Sequence, residues 1–327
     1  MTPPDASTAP LFEDRISPLT RVTSVFPALW RFFRQKKLGG LGLVIVLVFS
    51  VLALFPGALG RYDSTLVFDT ENPNFKADPT VAELAEDPDI GSPRVVAQFQ
   101  APSGDHWFGT DRFGRDIYAR LIHGAKLALI IGFGASLIAV AAGLIIGVIS
   151  AYYLGWIDLV AQRLMDAIYA FPFLILILLL VQISEPSTRN VVFALGFGGI
   201  PFAGRLIRSA VLAVRGSEYV QAARVIGASD LRIMLRHVLP NIGAVLIITF
   251  SIGIGAYILA EATVSFLGAG PRGEISWGRM VSSGRGALDV HPWESVFAGG
   301  AITLLVMAFN LLGDALRDVL DPRLRGV

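Results

Sequence analysis

Six stretches of this chain, 38–59, 126–152, 161–183, 190–212, 241–267 and 294–313, are apolar over about the length needed to cross a bilayer. Lipid offers no partner to a bare peptide group, so each stretch can cross only as a helix that pairs its own backbone. That requirement sets the class before any motif is read: an all-α, polytopic membrane helix bundle with six transmembrane helices. Composition agrees, since 54% of the 327 residues are hydrophobic and only 16% are charged, less charge than a water-soluble domain carries. A net charge of +1 gives no electrostatic footprint for nucleic acid. With no cysteine, the chain forms neither disulfides nor thiolate metal sites.

Arg31, Arg34, Lys36 and Lys37 precede the first span, which therefore reads as an uncleaved anchor over 38–59, with residues 1–37 in the cytoplasm. Residues 60–125 form an extracytoplasmic insert, acidic up to 106 and ending in a short interfacial helix capped by Asp116. The insert is either a small subdomain or a partly ordered loop. A five-helix core spans 126–313, and a cytoplasmic tail occupies 314–327. The first core span carries Gly132, Gly134, Ala135, Gly143 and Gly147, small residues that let helices approach closely in lipid. Pro172 predicts a kink in the second. Arg205, Arg208 and Arg215, from the third, snorkel to the cytoplasmic headgroups. With both termini and the 215–241 loop inside, Arg224, Arg232, Arg236, Arg317, Arg323 and Arg325 satisfy the positive-inside rule.

The 215–241 loop, RGSEYVQAARVIGASDLRIMLRHVLPN, is polar and helix-forming. Glu218 opens a short helix over 217–225 with Tyr219, Ala222, Ala223 and Ile226 at helical spacing. Gly227 ends it in a left-handed conformation, since no Cβ opposes one. Ala228 follows, and Ser229 caps a second helix over 229–236 with Asp230 in its first turn. Leu231, Met234, Leu235 and Val238 mark that helix's apolar face, and Pro240 stops the pattern. Such a pair either lies on the lipid surface or inserts into a groove of another protein.

The order Ala222-Ala223, Gly227, Leu239-Pro240 resembles the "EAA" coupling loop of importer-type ABC permeases, in which two alanines precede a glycine and a leucine–proline pair follows. Gln221 stands where the name-giving Glu usually is, and His237 where an aliphatic residue is common. The GTD-x-x-GRD string from Gly109, SFLGAGPRGEISWG from Ser265 and NLLGDALRDVLDPRLR from Asn310 resemble the dipeptide/oligopeptide/nickel branch, so the likeness covers 106–325. It implies the type I importer fold with a cytoplasmic coupling-helix pair, in a bacterial or archaeal cytoplasmic membrane. It implies a second, related permease subunit in a heterodimer, two ATPase subunits holding ATP and Mg, and an extracytoplasmic substrate-binding protein. This chain itself would hold no cofactor. The ATPase-coupling residues implied are Glu218, Tyr219, Gln221, Ala222, Ala223, Gly227, Ala228, Arg236, Leu239 and Pro240. The implied cargo is a di- or oligopeptide, with nickel chelates or another small solute as the alternative.

No Gly-x-x-x-x-Gly-Lys-Ser/Thr, His-Glu-x-x-His or Gly-x-Ser-x-Gly occurs, so ATP hydrolysis is expected in partner subunits and no catalytic residue is assigned. The four histidines are scattered, and no metal site is read from them. Polar residues within spans are candidates for the translocation pathway or its gate: Asp166, Glu261 and Asn310. Asp166 has a plainer explanation in a local pair with Arg163, three residues earlier. Glu261 either meets the cationic end of a peptide or holds the outer gate through an inter-helix hydrogen bond. Asn310, with Asp314, ties the last helix to its neighbours. A secondary transporter would also explain six spans, without requiring the coupling-loop match.

Overall fold

The computed structural model describes residues 36–71, 74, 76, 86–89 and 92–320. Expectations for residues 1–35 and for Arg323 and Arg325 lie outside them. The first span is α1 (Lys37–Leu54), which turns Gly42, Val46, Phe49 and Ala53 inward and leaves Leu41, Val44, Leu47, Val48 and Val51 exposed. A bare aliphatic stripe along a whole helix belongs against lipid.

Next comes α2 (Ile117–Tyr153), a single helix of 37 residues. The separate interfacial helix and first core span are thus one element: no proline interrupts the run, and Asp116 caps it by accepting the Ala119 N–H at 2.8 Å. At 1.5 Å per residue it is about 55 Å long, well beyond a hydrocarbon core of about 30 Å. The insert before it contains a small antiparallel ribbon, β1 (Asp69–Glu71) with β2 (Arg94–Val96), in the register Asp69 to Val96. Asp111 pins the chain between ribbon and α2: it accepts the N–H groups of Phe113 and Arg115 and an ion pair from the Arg115 guanidinium at 2.7 Å.

The second core span is not a kinked helix but two, α3 (Gly155–Tyr169) and α4 (Phe173–Ser184), bent by 83°. Pro172 has no N–H to give and disfavours helical geometry at Phe171 before it. Among the described residues, five helices are long and apolar enough to cross a membrane, and the broken pair makes the sixth crossing if it counts as one span. After α5 (Thr188–Arg215) come the two short connector helices α6 (Glu218–Val225) and α7 (Asp230–Ile233), then α8 (Gly243–Phe266), α9 (Trp277–Gly284) and α10 (Trp293–Leu320). The last helix passes the expected boundary at 313 without a break. Its end is tied to the start of α1 by Lys36 and Asp318 at 2.7 Å.

Small residues hold α2 to α5. A Cβ on Gly143 would come within 2.8 Å of the Gly204 nitrogen, and one on Gly147 within 2.7 Å of the Gly204 oxygen. Gly196 lies as close to Ile138, so the contact continues along both helices. Gly143→Val must therefore push α2 and α5 apart, at a cost of about 1–3 kcal/mol. A lowered midpoint of thermal unfolding in detergent is expected; an unchanged midpoint would show that the seam is slack.

Candidate coupling site

The connector between α5 and α8 is built from two turns of defined geometry. Gly227 has φ +84°, and with Ala228 it closes α6: the Gly227 N–H donates to Arg224 O at 3.1 Å and the Ala228 N–H to Ala223 O at 3.0 Å. These are the paired bonds of a left-handed helix C-terminus. Ser229 occupies the N-cap position of α7, yet its hydroxyl makes no capping bond.

The second connector helix does not stop at Pro240 as the sequence reading expects. After Ile233 the chain widens into a π turn, Met234–Val238, and resumes as Leu239–Asn241 before entering α8. In an α-helix the proline ring would strike the carbonyl of Arg236, and the wider turn just before it relieves that clash. The connector therefore continues through Pro240 to Asn241, and only the turn at Ile242 separates it from α8.

Which faces turn inward also differs from the spacing argument. Val220 and Ala223 of α6, with Ile233 and Val238 beyond it, are buried against Ile207, Val211 and Ile242. Tyr219, Ala222 and Ile226 point outward, as do Leu231 and Leu235. Val225 and Ile226 are 87% and 84% exposed, leaving the connector with an apolar tip that none of the described residues covers. Glu218, Arg236 and Pro240 are exposed, while Ala228 and Leu239 are half-buried. Gln221 donates from Nε2 to the Gly216 carbonyl at 3.0 Å. A glutamate there could not make that bond, because a carboxylate only accepts.

Tyr152, a residue that the sequence pattern does not single out, braces the connector. The Tyr152 hydroxyl, at the end of α2, donates to Asp230 Oδ1 at 2.7 Å and accepts from Arg224 at 3.3 Å. The Arg224 guanidinium also lies over the Tyr152 ring. A tyrosine 78 positions from its partner leaves no local signal in the sequence.

The candidate pathway residues are scattered along the bundle. Asp166 meets Arg163 at 3.6 Å but is held more closely by Arg205 of α5, at 2.7 Å. Beside it, Arg208 clasps Asp158 of α3 at 2.8 and 2.6 Å, so two of the arginines expected to snorkel are instead paired across helices. Glu261 is 2% exposed, and its Oε1 accepts from Ser265 at 2.6 Å and from Ser276, the N-cap of α9, at 2.8 Å. Asn310 is exposed on α10, beside Gly255 of α8, and Asp314 is exposed one turn further on.

The sequence matches the family model of the binding-protein-dependent transport system inner membrane component over residues 143–326, more than half of the chain. It is 35% identical over 326 residues to a dipeptide transport system permease protein of Alkalihalophilus pseudofirmus, covering 99% of this chain and 97% of that one. To a glutathione transport system permease protein of Escherichia coli it is 34% identical over 307 residues, 94% of this chain and 93% of the relative. A chain in an inward-facing structure of the MetNI methionine ABC transporter has a similar fold: TM-score 0.54 at 19% identity, covering 62% of this chain and 96% of that one.

Replacing Gly227 by valine sets a β-branched side chain at positive φ, with a local cost of about 1–2 kcal/mol. Amide hydrogen exchange over 218–241 should accelerate while α2 and α5 stay protected. Equal protection in the variant would show that the turn does not hold the connector.

Proposed function

Given that this chain belongs to the family of binding-protein-dependent transport system inner membrane components, we propose that it is a transmembrane permease subunit of an ATP-driven importer for di- or oligopeptides. It supplies half of the translocation pathway, beside a related permease subunit, and takes its cargo from an extracytoplasmic binding protein. Two separate ATPase subunits bind ATP and Mg. The 215–241 connector and both termini face the cytoplasm, and 60–116 faces outward.

The observation that carries this reading is the uncovered apolar tip at Val225 and Ile226, held on a braced pair of helices. An exposed apolar patch on a short polar connector suits insertion into a groove of another protein. When ATP closes the ATPase pair, a connector seated there moves with it. Arg215 joins it to α5, and the π turn at Met234–Val238 joins it to α8. ATP biases the inward- and outward-facing forms only through its preference for the closed ATPase pair, so a slack connector would waste that bias. Peptide as cargo is supported by full-length likeness to permeases named for a dipeptide and for glutathione, itself a small peptide.

Glu261 fits a tie between α8 and α9 at the outer gate, since both of its hydrogen-bond donors are hydroxyls of this chain. The docking role is tested with Val225→Asp/Ile226→Asp. Both side chains are exposed, so the fold should tolerate the change. Binding-protein-stimulated ATP hydrolysis and peptide uptake in vesicles should fall about tenfold or more, as for the loss of an interface anchor. Wild-type rates in a correctly inserted double variant would refute docking through this tip.

A further inference from the structure

Arg205 and Asp166 are paired at 2.7 Å with side chains 39% and 52% exposed. Arg205 lies ten residues before Arg215, the end of α5. That is roughly 15 Å along the helix axis; with α5 about 42 Å long and centred on a hydrocarbon layer of about 30 Å, Arg205 lies about 9 Å inside the layer's edge. Exposed charges at that depth belong against water or protein, not lipid.

The Arg205 guanidinium also stacks over the Tyr169 ring, 4.6 Å from its centroid, where α3 breaks from α4. Tyr169 in turn lines a cavity of about 360 Å³ with Ser136, Phe173, Phe202, Thr249 and Tyr257, and no charged side chain contributes to its wall. Small-ligand sites occupy this size range. Among the described residues the Tyr257 hydroxyl has no hydrogen-bond partner, and Gly199 leaves room for it: a Cβ there would come within 1.7 Å of the hydroxyl oxygen.

The result is an apolar, aromatic chamber with free hydroxyl capacity and one positive and one negative group at its rim. We propose that the Asp166–Arg205 pair and this chamber form a contact station for a zwitterionic peptide in transit. The peptide carboxylate pairs with Arg205, its ammonium with Asp166, and its amide with the Tyr257 hydroxyl. An exposed ion pair is held weakly, so cargo can exchange for either partner. Weak contact suits a passage that the cargo must also leave. The proposal rests on the permease reading above and adds the place and the charge type of the cargo.

This chain has no cysteine, so Phe202→Cys puts its only thiol on the chamber wall. Maleimide labelling of that thiol is followed in the nucleotide-free permease–ATPase complex. Alanyl-alanine should slow labelling about tenfold near saturation, whereas N-acetyl-alanyl-alanine amide, without charges, should not. Asp166→Asn or Arg205→Gln should abolish the protection. If both peptides protect equally, if neither does, or if protection survives both substitutions, the station is overturned. The permease reading then still stands, provided the unmodified importer takes up alanyl-alanine. An importer that takes up neither this dipeptide nor glutathione overturns that reading, and the station with it.

Discussion

Lipid tails are as apolar as leucine, so two helices inside a bilayer gain nothing by hiding from their solvent and must be held by close contact. Here that contact is the seam of α2 and α5, where Gly143 and Gly147 lie against Gly204 with no space for a side chain between. The seam sets the ends of both helices side by side. One end presents Tyr152 to Asp230 and Arg224, and the other leads directly into α6. The connector's geometry is therefore inherited from a packing contact well inside the bundle.

That inheritance gives the connector two properties that conflict in an ordinary surface loop. It is braced, by hydrogen bonds to α2 and by the burial of Val220, Ala223 and Ile233, and it is also left apolar where none of the described residues meets it. Bracing costs chain entropy, and exposing Val225 and Ile226 to water forgoes burial. Both make sense for a part completed by another subunit. The same logic applies to the paired charges between α3 and α5, which are intelligible beside water or another protein chain and not beside lipid.

Features that depend on a few neighbouring residues are legible in the sequence: the apolar runs, Gly143 and Gly147 on the α2 side of the seam, the Asp116 cap and the left-handed Gly227. Features that depend on distant partners are not. Periodicity groups Tyr219, Ala222, Ala223 and Ile226 on one face, whereas the side of α6 turned inward is that of Val220 and Ala223. The helix has apolar residues on more than one side, and spacing alone does not say which side meets the bundle. Spacing pairs Asp166 with Arg163, three positions away, while Arg205 on another helix lies nearer. The two prolines show the same limit. Pro172 breaks its span outright, whereas Pro240 is absorbed by a π turn, and nothing in either tripeptide distinguishes the outcomes.

The central claim is that the connector and α8 move as one lever. Spin labels at Val225 on the tip and Leu259 on α8, both exposed, report on it within the assembled importer. Across the ATP cycle their separation should stay within about 2 Å, the scale of small helix shifts, while labels on the two permease subunits move apart and together. A tip-to-α8 distance that changes as much as the distance between subunits would contradict the account.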